Sequence, residues 1–241
     1  MKNTVTPYND KRAKKEQVEE MFDNIAHRYD FLNHLLSFGI DIRWRKKAVQ
    51  SLAPISPQRI LDVASGTGDF AFEALTLAPK EVIGFDLSEG MMRYGRQKAE
   101  QLRVSDVVKF IKGDSEKMPF EDESFDAITV GFGVRNFEHL EAGLSEMYRV
   151  LRKGGRVAIL EASEPQNTIF RAFHSLYFGK IVPLVGKVFS RDSRAYSYLP
   201  ESTAAFPSGR NFVAICEKLG FKKVQWTPLT FGACAFYTME R

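Results

Sequence analysis

A doubly wound, Rossmann-like α/β fold is what this 241-residue sequence predicts, on three observations. Short apolar runs alternate with helical patterns through the middle of the chain, as they do where a parallel sheet is joined by crossover helices. The run Arg59-Ile60-Leu61-Asp62-Val63-Ala64-Ser65-Gly66-Thr67-Gly68-Asp69 carries an apolar strand into a glycine turn and a helix. An acid, Asp86, then closes the next apolar run, where a carboxylate can accept both hydroxyls of a ribose.

The elements follow in order. Strands are expected at about 59–63, 81–86, 107–112, 125–130 and 155–161, with helices near 69–77, 88–101 and 140–151. Gly154-Gly155, after Leu151-Arg152-Lys153, reads as a helix stop with basic residues at the negative end of the dipole. A helix near 209–219, ended by Gly220, precedes β-rich runs at 222–229 and 233–239, which suit a hairpin on the sheet edge. Ahead of the sheet, Val18, Met21, Phe22, Ile25, Tyr29, Leu32 and Leu36 recur at three- and four-residue spacing, so residues 15–37 read as amphipathic helix with a break near Tyr29-Asp30. After the fifth strand, residues 165–191 hold no acid, many apolar residues and Arg171, Lys180 and Lys187. That stretch reads as a helical insertion, either buried or forming an apolar lid over a greasy substrate. One domain results: an N-terminal helical cap (1–52), a cofactor-binding core (53–164), a helical lid insertion (165–208), and a C-terminal helix with an edge hairpin (209–241).

Composition narrows the function classes. Hydrophobic residues make up 44% of the chain, ordinary for one domain with a full core. A net charge of +4 is too weak to imply nucleic acid. Cys216 and Cys234 have neither metal-type spacing nor the number for a disulfide framework, so reduced buried thiols are expected. The N-terminus lacks an apolar h-region, and no window reaches the roughly 20 apolar residues that span a bilayer. The expectation is a cytoplasmic protein, with peripheral contact at the inner face of the membrane left open. His27, His34, His139 and His174 have no convincing partners in the sequence, and neither a metal site nor hydrolytic chemistry has support.

The glycine turn alone is ambiguous, since Gly66-x-Gly68-x-x-Ala71 also satisfies a dinucleotide pattern, with Asp86 about 20 residues on. Asp62, just before the turn, would repel a pyrophosphate but tolerate an amino acid and a sulfonium, which favours S-adenosylmethionine. Strand C-termini line one edge of such a sheet. Asp114 and Ser115, after Gly113, would then face the crevice of Gly66 and Asp86 as adenine contacts, while Gly131 lets backbone pass close to the cofactor.

With these residues in hand the chain resembles the ubiquinone/menaquinone biosynthesis methyltransferase family, aromatic-ring C-methyltransferases that use S-adenosylmethionine on the class I fold. Tyr29-Asp30-x-x-Asn33-x-x-Leu36-Ser37 with Trp44 is similar to the family's first motif, and Arg149-Val150-Leu151-Arg152-x-Gly154-Gly155 to its second. Asp62-x-Ala64-x-Gly66-Thr67-Gly68-Asp69, Phe132-Gly133-x-Arg135-Asn136 and Tyr198-Leu199-Pro200-Glu201-Ser202 are similar to further blocks. The resemblance implies cofactor contacts at Thr67, Asp86, Asp114 and Ser115, and Gly131 stands where the family often has serine. Asp41 stands in place of a histidine and Lys153 in place of a proline, neither expected to touch the cradle; the tail 231–237 also differs from the family's glycine-rich ending.

The implied substrate is a polyprenylated quinol, foremost 2-demethylmenaquinol. A benzoquinol, another small acceptor, or a non-catalytic adenosyl-binding role remain the alternatives, and self-association is left open. Methylating a ring carbon is eased by loss of a phenolic proton, so the site must hold phenolate-like charge. Arg135 is the expected stabiliser, because a guanidinium stays charged but is a poor base. Water or Tyr29 would relay the proton and Asn136 would orient the ring oxygen.

Overall fold

Two strands buried on both faces form the middle of the molecule: β1 (Arg59–Val63) and β4 (Phe125–Gly131), paired in parallel with Ile60 opposite Ala127. Their near-continuous apolar sequence is what double-faced burial demands. β2 (Glu81–Asp86) and β3 (Val108–Lys112) extend the sheet on one side, and β5 (Leu151–Ala162), β6 (Lys222–Leu229) and β7 (Cys234–Glu240) on the other, in the order β3-β2-β1-β4-β5-β7-β6. The first five strands are parallel, while β7 runs antiparallel between β5 and the edge strand β6. Pro228, which lacks a backbone donor, sits in that edge strand, where it is tolerated. This computed structural model describes residues 5–8, 10–165, 167, 168, 170, 171, 176 and 194–241.

Alternation along β1 feeds two cores. Leu61 and Val63 join Ile128, Val130, Leu144, Met147, Phe212 and Tyr237 on one face, while Ile60 joins Val49, Leu52, Phe70, Ala127, Ala158 and Phe236 on the other. The helices expected near 15–37, 69–77, 88–101, 140–151 and 209–219 are present as α1 (Lys14–Ile25) with α2 (Tyr29–Leu36), α4 (Asp69–Ala74), α5 (Glu89–Gln101), α6 (Leu140–Val150) and α8 (Arg210–Lys218), and α3 (Ile40–Gln50) and α7 (Arg194–Ala205) stand beside them. A single 3-10 turn, Ala26–Arg28, makes the break between α1 and α2.

One boundary differs from expectation. Gly154-Gly155 does not stop α6, which ends at Val150; the chain turns straight into β5 and the glycines lie inside it. The reason is a bulge: Phe125 pairs with Leu151 but Ala127 pairs with Arg156, so residues 152–155 loop out of register. The insertion over 165–191, with Lys180 and Lys187, lies almost wholly outside the described residues. Of it, Phe170 stacks on Phe231, ring centroids 4.1 Å apart, and both rings are exposed. No described helix is long and apolar enough to cross a membrane.

Candidate active site

The C-terminal ends of β1, β2, β3 and β4 open into one cleft. Gly66, Asp86, Asp114, Ser115 and Gly131 line it, as does Tyr29 from α2 and Asn136 from the turn after β4. Lys15, Val18, Glu19 and Phe22 of α1 form the opposite wall. The first helix is therefore the roof of the site, and ion pairs hold it there: Lys15 to Asp114 (3.1 Å) and Lys112 to Glu19 (2.7 Å). Asp23 adds a third tie, accepting from Ser88 Oγ (2.5 Å) and from the Gly90 N–H (2.8 Å) at the start of α5.

Asp86 is held by the glycine turn it faces. The Gly66 N–H donates to one carboxylate oxygen (2.7 Å) and the Ser88 N–H to the other (2.8 Å), leaving lone pairs for a ligand. Burial pushes its carboxyl up to about 6. Gly68 enters α4 with φ +86°, and a Cβ there would lie 2.6 Å from the Phe110 ring, so the turn requires glycine on both counts.

Three residues expected at the cofactor point elsewhere. Asp62 is fully buried beneath the turn, accepting from Thr129 Oγ1 (2.7 Å) and from the Ala71 N–H (3.0 Å). It pins the first turn of α4 to β4, and burial pushes its carboxyl up to about 7. Thr67 donates its hydroxyl to Asp30 of α2 (2.5 Å), and Asp30 in turn pairs with Lys98 (2.6 Å). Gly68 contributes conformation to the turn, and none of the three lines the cleft.

Gly131 is explained by its neighbour, since a Cβ there would lie 2.9 Å from Cδ2 of the buried Phe70 ring. A serine at this place would need a smaller residue than Phe70. Gly131→Ala is expected to lower unfolding stability by roughly 1–3 kcal/mol, the usual cost of overpacking, and Phe70→Leu in the same chain to recover part of it. Denaturant titration checks both.

The Arg135 side chain is only 8% exposed. Its Nη1 donates to the Phe132 carbonyl and to Glu161 Oε1 (2.5 Å), and its backbone N–H donates to Glu161 Oε2 (3.1 Å). Burial opposes its charge, yet Glu161 beside it carries its pKa above the ordinary value. Its Nε and the Asn136 Oδ1 are buried without a partner among the described residues. Tyr29, edge-on to Phe22 at 5.9 Å, has its phenol pKa raised by burial, so it is protonated at neutral pH.

The sequence reading missed Glu161 and the roof contacts of Lys15, Glu19 and Phe22. For Glu161 a signal existed: like Asp62 and Asp86, it is an acid at the end of an apolar run, Val157-Ala158-Ile159-Leu160. Two histidines do have partners, His34 at Asp41 (2.9 Å) and His139 at Glu116 (2.8 Å). Asp41 also differs from expectation, because Arg45 links it (2.6 Å) to Asp69 (3.3 Å) at the start of the cradle helix. His34, Asp41 and Asp69 have metal-like proximity, but the Arg45 guanidinium already supplies the positive charge between the two carboxylates. Arg149 of the second motif is structural, donating to the Phe120 and Met118 carbonyls (2.7 and 3.0 Å).

This sheet order and this cleft at the strand ends define a class I S-adenosylmethionine-dependent methyltransferase. A methyltransferase of that kind from Thermotoga maritima superposes with a TM-score of 0.62 at 22% identity, covering 92% of this chain and 98% of that one, a likeness of fold alone. The description of the ubiE/COQ5 methyltransferase family matches residues 10–240, and the chain belongs to that family. A demethylmenaquinone methyltransferase of Bacteroides fragilis is 49% identical over 238 residues, covering 98% of this chain and 97% of that protein. The ubiquinone/menaquinone biosynthesis C-methyltransferase UbiE of Geotalea daltonii is 46% identical over 230 residues, covering 95% and 97%. The chain is thus a methyltransferase whose cofactor is S-adenosylmethionine.

Proposed function

We propose that this enzyme methylates a ring carbon of a polyprenylated demethylmenaquinol, giving menaquinol. The observation that carries the reading is a buried guanidinium, Arg135, next in sequence to the cleft-lining Asn136, with Nε unpartnered among the described residues. Such a group stabilises the negative charge that a quinol ring gathers as its hydroxyl loses a proton. The name of the Bacteroides fragilis relative supports the same substrate.

Asp86, Asp114 and Ser115, with the backbone at Gly66 and Gly131, would hold the cofactor, and the donor set fits it: an acceptor at Asp86 for a ribose diol, and Asp114 for an adenine amine. S-adenosylmethionine, when bound, supplies an electrophilic methyl group. The chain's own residues do the rest. Arg135 holds the ring oxygen's charge, Asn136 orients that oxygen, and the α1 roof excludes water. Water beside Arg135, or the Tyr29 hydroxyl, relays the departing proton.

The test is purified enzyme with S-adenosylmethionine and demethylmenaquinol, followed by mass spectrometry. Methylated quinol is expected; no product would sink the assignment. Demethylated ubiquinol precursor is the second substrate to assay, because the Geotalea daltonii relative is named for both quinones. We also infer peripheral contact at the cytoplasmic face of a membrane, supported by the acid-free run 165–191 and by the exposed stack of its Phe170 on Phe231.

Asp86 makes cofactor binding pH-dependent. Its ionised form is the better acceptor, so affinity should be constant above its pKa of about 6 and fall by up to tenfold per pH unit below it. Asp86→Asn should weaken binding by roughly 1–3 kcal/mol and flatten that dependence. The unliganded protein has the opposite slope. Asp62 and Asp86, raised to about 7 and about 6 from 3.8, bind protons more tightly folded than unfolded, so their contribution to stability declines as pH rises from about 4 to 7. Calorimetry across pH 5 to 8 checks the binding; equal affinity at pH 5 and 8 would remove Asp86 from the site.

A further inference from the structure

Five buried side-chain polar atoms lack a partner among the described residues: Ser65 Oγ, Arg135 Nε, Asn136 Oδ1, Tyr198 Oη and Trp226 Nε1. Three of them belong to two elements that pack together. α7, which carries Tyr198, packs against the turn Val134–Asn136, and the Tyr198 phenol lies within the electrostatic reach of both Arg135 and Glu161. Tyr198 is only 1% exposed, and its ring belongs to the cluster of Val18, Met21 and Ile25 that seats the α1 roof. As packing alone, a phenylalanine would serve there without the roughly 1–3 kcal/mol cost of an unsatisfied buried hydroxyl.

We propose that the Tyr198 hydroxyl is a substrate-binding group, forming with Arg135 Nε and Asn136 Oδ1 a receptor for one oxygen of the aromatic acceptor. This rests on the methyltransferase reading above and goes beyond it by naming what grips the ring. The donor arithmetic fits a phenolic hydroxyl: it donates to Asn136 Oδ1 and accepts from Tyr198 and Arg135, and on losing its proton it still accepts from both. Burial pushes the Tyr198 phenol up to about 12, so it remains a donor at neutral pH while Arg135 lowers it and Glu161 and Glu201 raise it. A ring bearing no oxygen would leave all three atoms unpaired, and such pockets reject substrates lacking the matching group.

The experiment compares the parent with Tyr198→Phe, which removes only an unpartnered oxygen. Kinetics on demethylmenaquinol are read beside calorimetric cofactor affinity. Separately, the absorbance of added 1-naphthol, a ring carrying one hydroxyl, is titrated with pH in the presence of each protein. Tyr198→Phe should lower kcat/KM about 5- to 150-fold, the span of one lost buried hydrogen bond, with cofactor affinity within twofold of the parent. The parent should lower the ionisation pH of bound naphthol, and the variant should lower it less. Should the parent methylate demethylmenaquinol while the variant matches it in kcat/KM and naphthol ionisation, the hydroxyl merely holds water and the proposal is overturned. A parent that shifts naphthol ionisation through Tyr198 yet leaves demethylmenaquinol unmethylated would sustain the receptor and sink the substrate assignment instead. Loss of cofactor affinity in the variant equal to its loss of kcat/KM would also overturn the proposal, since that is the mark of a purely structural role.

Discussion

Arg135→Ala should reduce turnover on demethylmenaquinol by roughly 10²–10³, the size of one preorganised electrostatic contact removed from a transition state. Cofactor affinity should change little, because Arg135 is not among the residues that line the cleft. Arg135→Lys keeps a cation, but an ammonium cannot reproduce a planar fork that reaches the Phe132 carbonyl and Glu161 from one nitrogen while Nε stays free for a ligand, so it should fall between parent and alanine. Steady-state kinetics well below the melting temperature would decide this. Full turnover by the alanine variant would take Arg135 out of the chemistry.

The cradle was legible because its physics is local. An apolar strand, two turn glycines and an acid at the next strand's end are fixed by sequence spacing, and β1, β2 and Asp86 sit as that spacing requires. What spacing cannot reveal is which way a polar side chain in the turn points. Asp62 and Thr67 look like ligand contacts by position, but alternation along β1 sends Asp62 to the Ile60 face, onto the first turn of α4, and Asp30 from a distant helix captures Thr67. The roof was half legible. The periodicity of α1 and α2 gave an amphipathic segment, whereas spacing does not reveal its Lys15–Asp114 and Lys112–Glu19 contacts, each joining residues more than 90 positions apart. Residues 152–155 were misread for a related reason, since a glycine pair ending a helix and one allowing a bulge look alike until Phe125 and Arg156 find their strand partners.

Glu161→Leu should destabilise the fold by roughly 3–5 kcal/mol, because it leaves Arg135 buried beside an apolar side chain. The carboxylate is fully buried and takes three hydrogen bonds: from Arg135 Nη1 (2.5 Å), from the Arg135 N–H (3.1 Å) and from the Ala162 N–H (2.9 Å). Removing both charges tells a different story. Arg135→Met with Glu161→Leu replaces a desolvated ion pair by two apolar side chains, an exchange that is often neutral or stabilising, so the double variant should recover most of the lost stability. It should recover no turnover, since the cation proposed to hold the quinol's charge is gone. Denaturant unfolding of the two single variants and the double closes a thermodynamic cycle, and the coupling between the sites should be about 3 kcal/mol or more, at least as large as the part of the Glu161→Leu loss that the double variant recovers. A near-zero coupling would mean that Glu161 does not hold Arg135 in solution. A double variant that is both stable and active would remove the pair from catalysis altogether, and stability regained without activity is the outcome that separates the role of Arg135 in the reaction from its role in the fold.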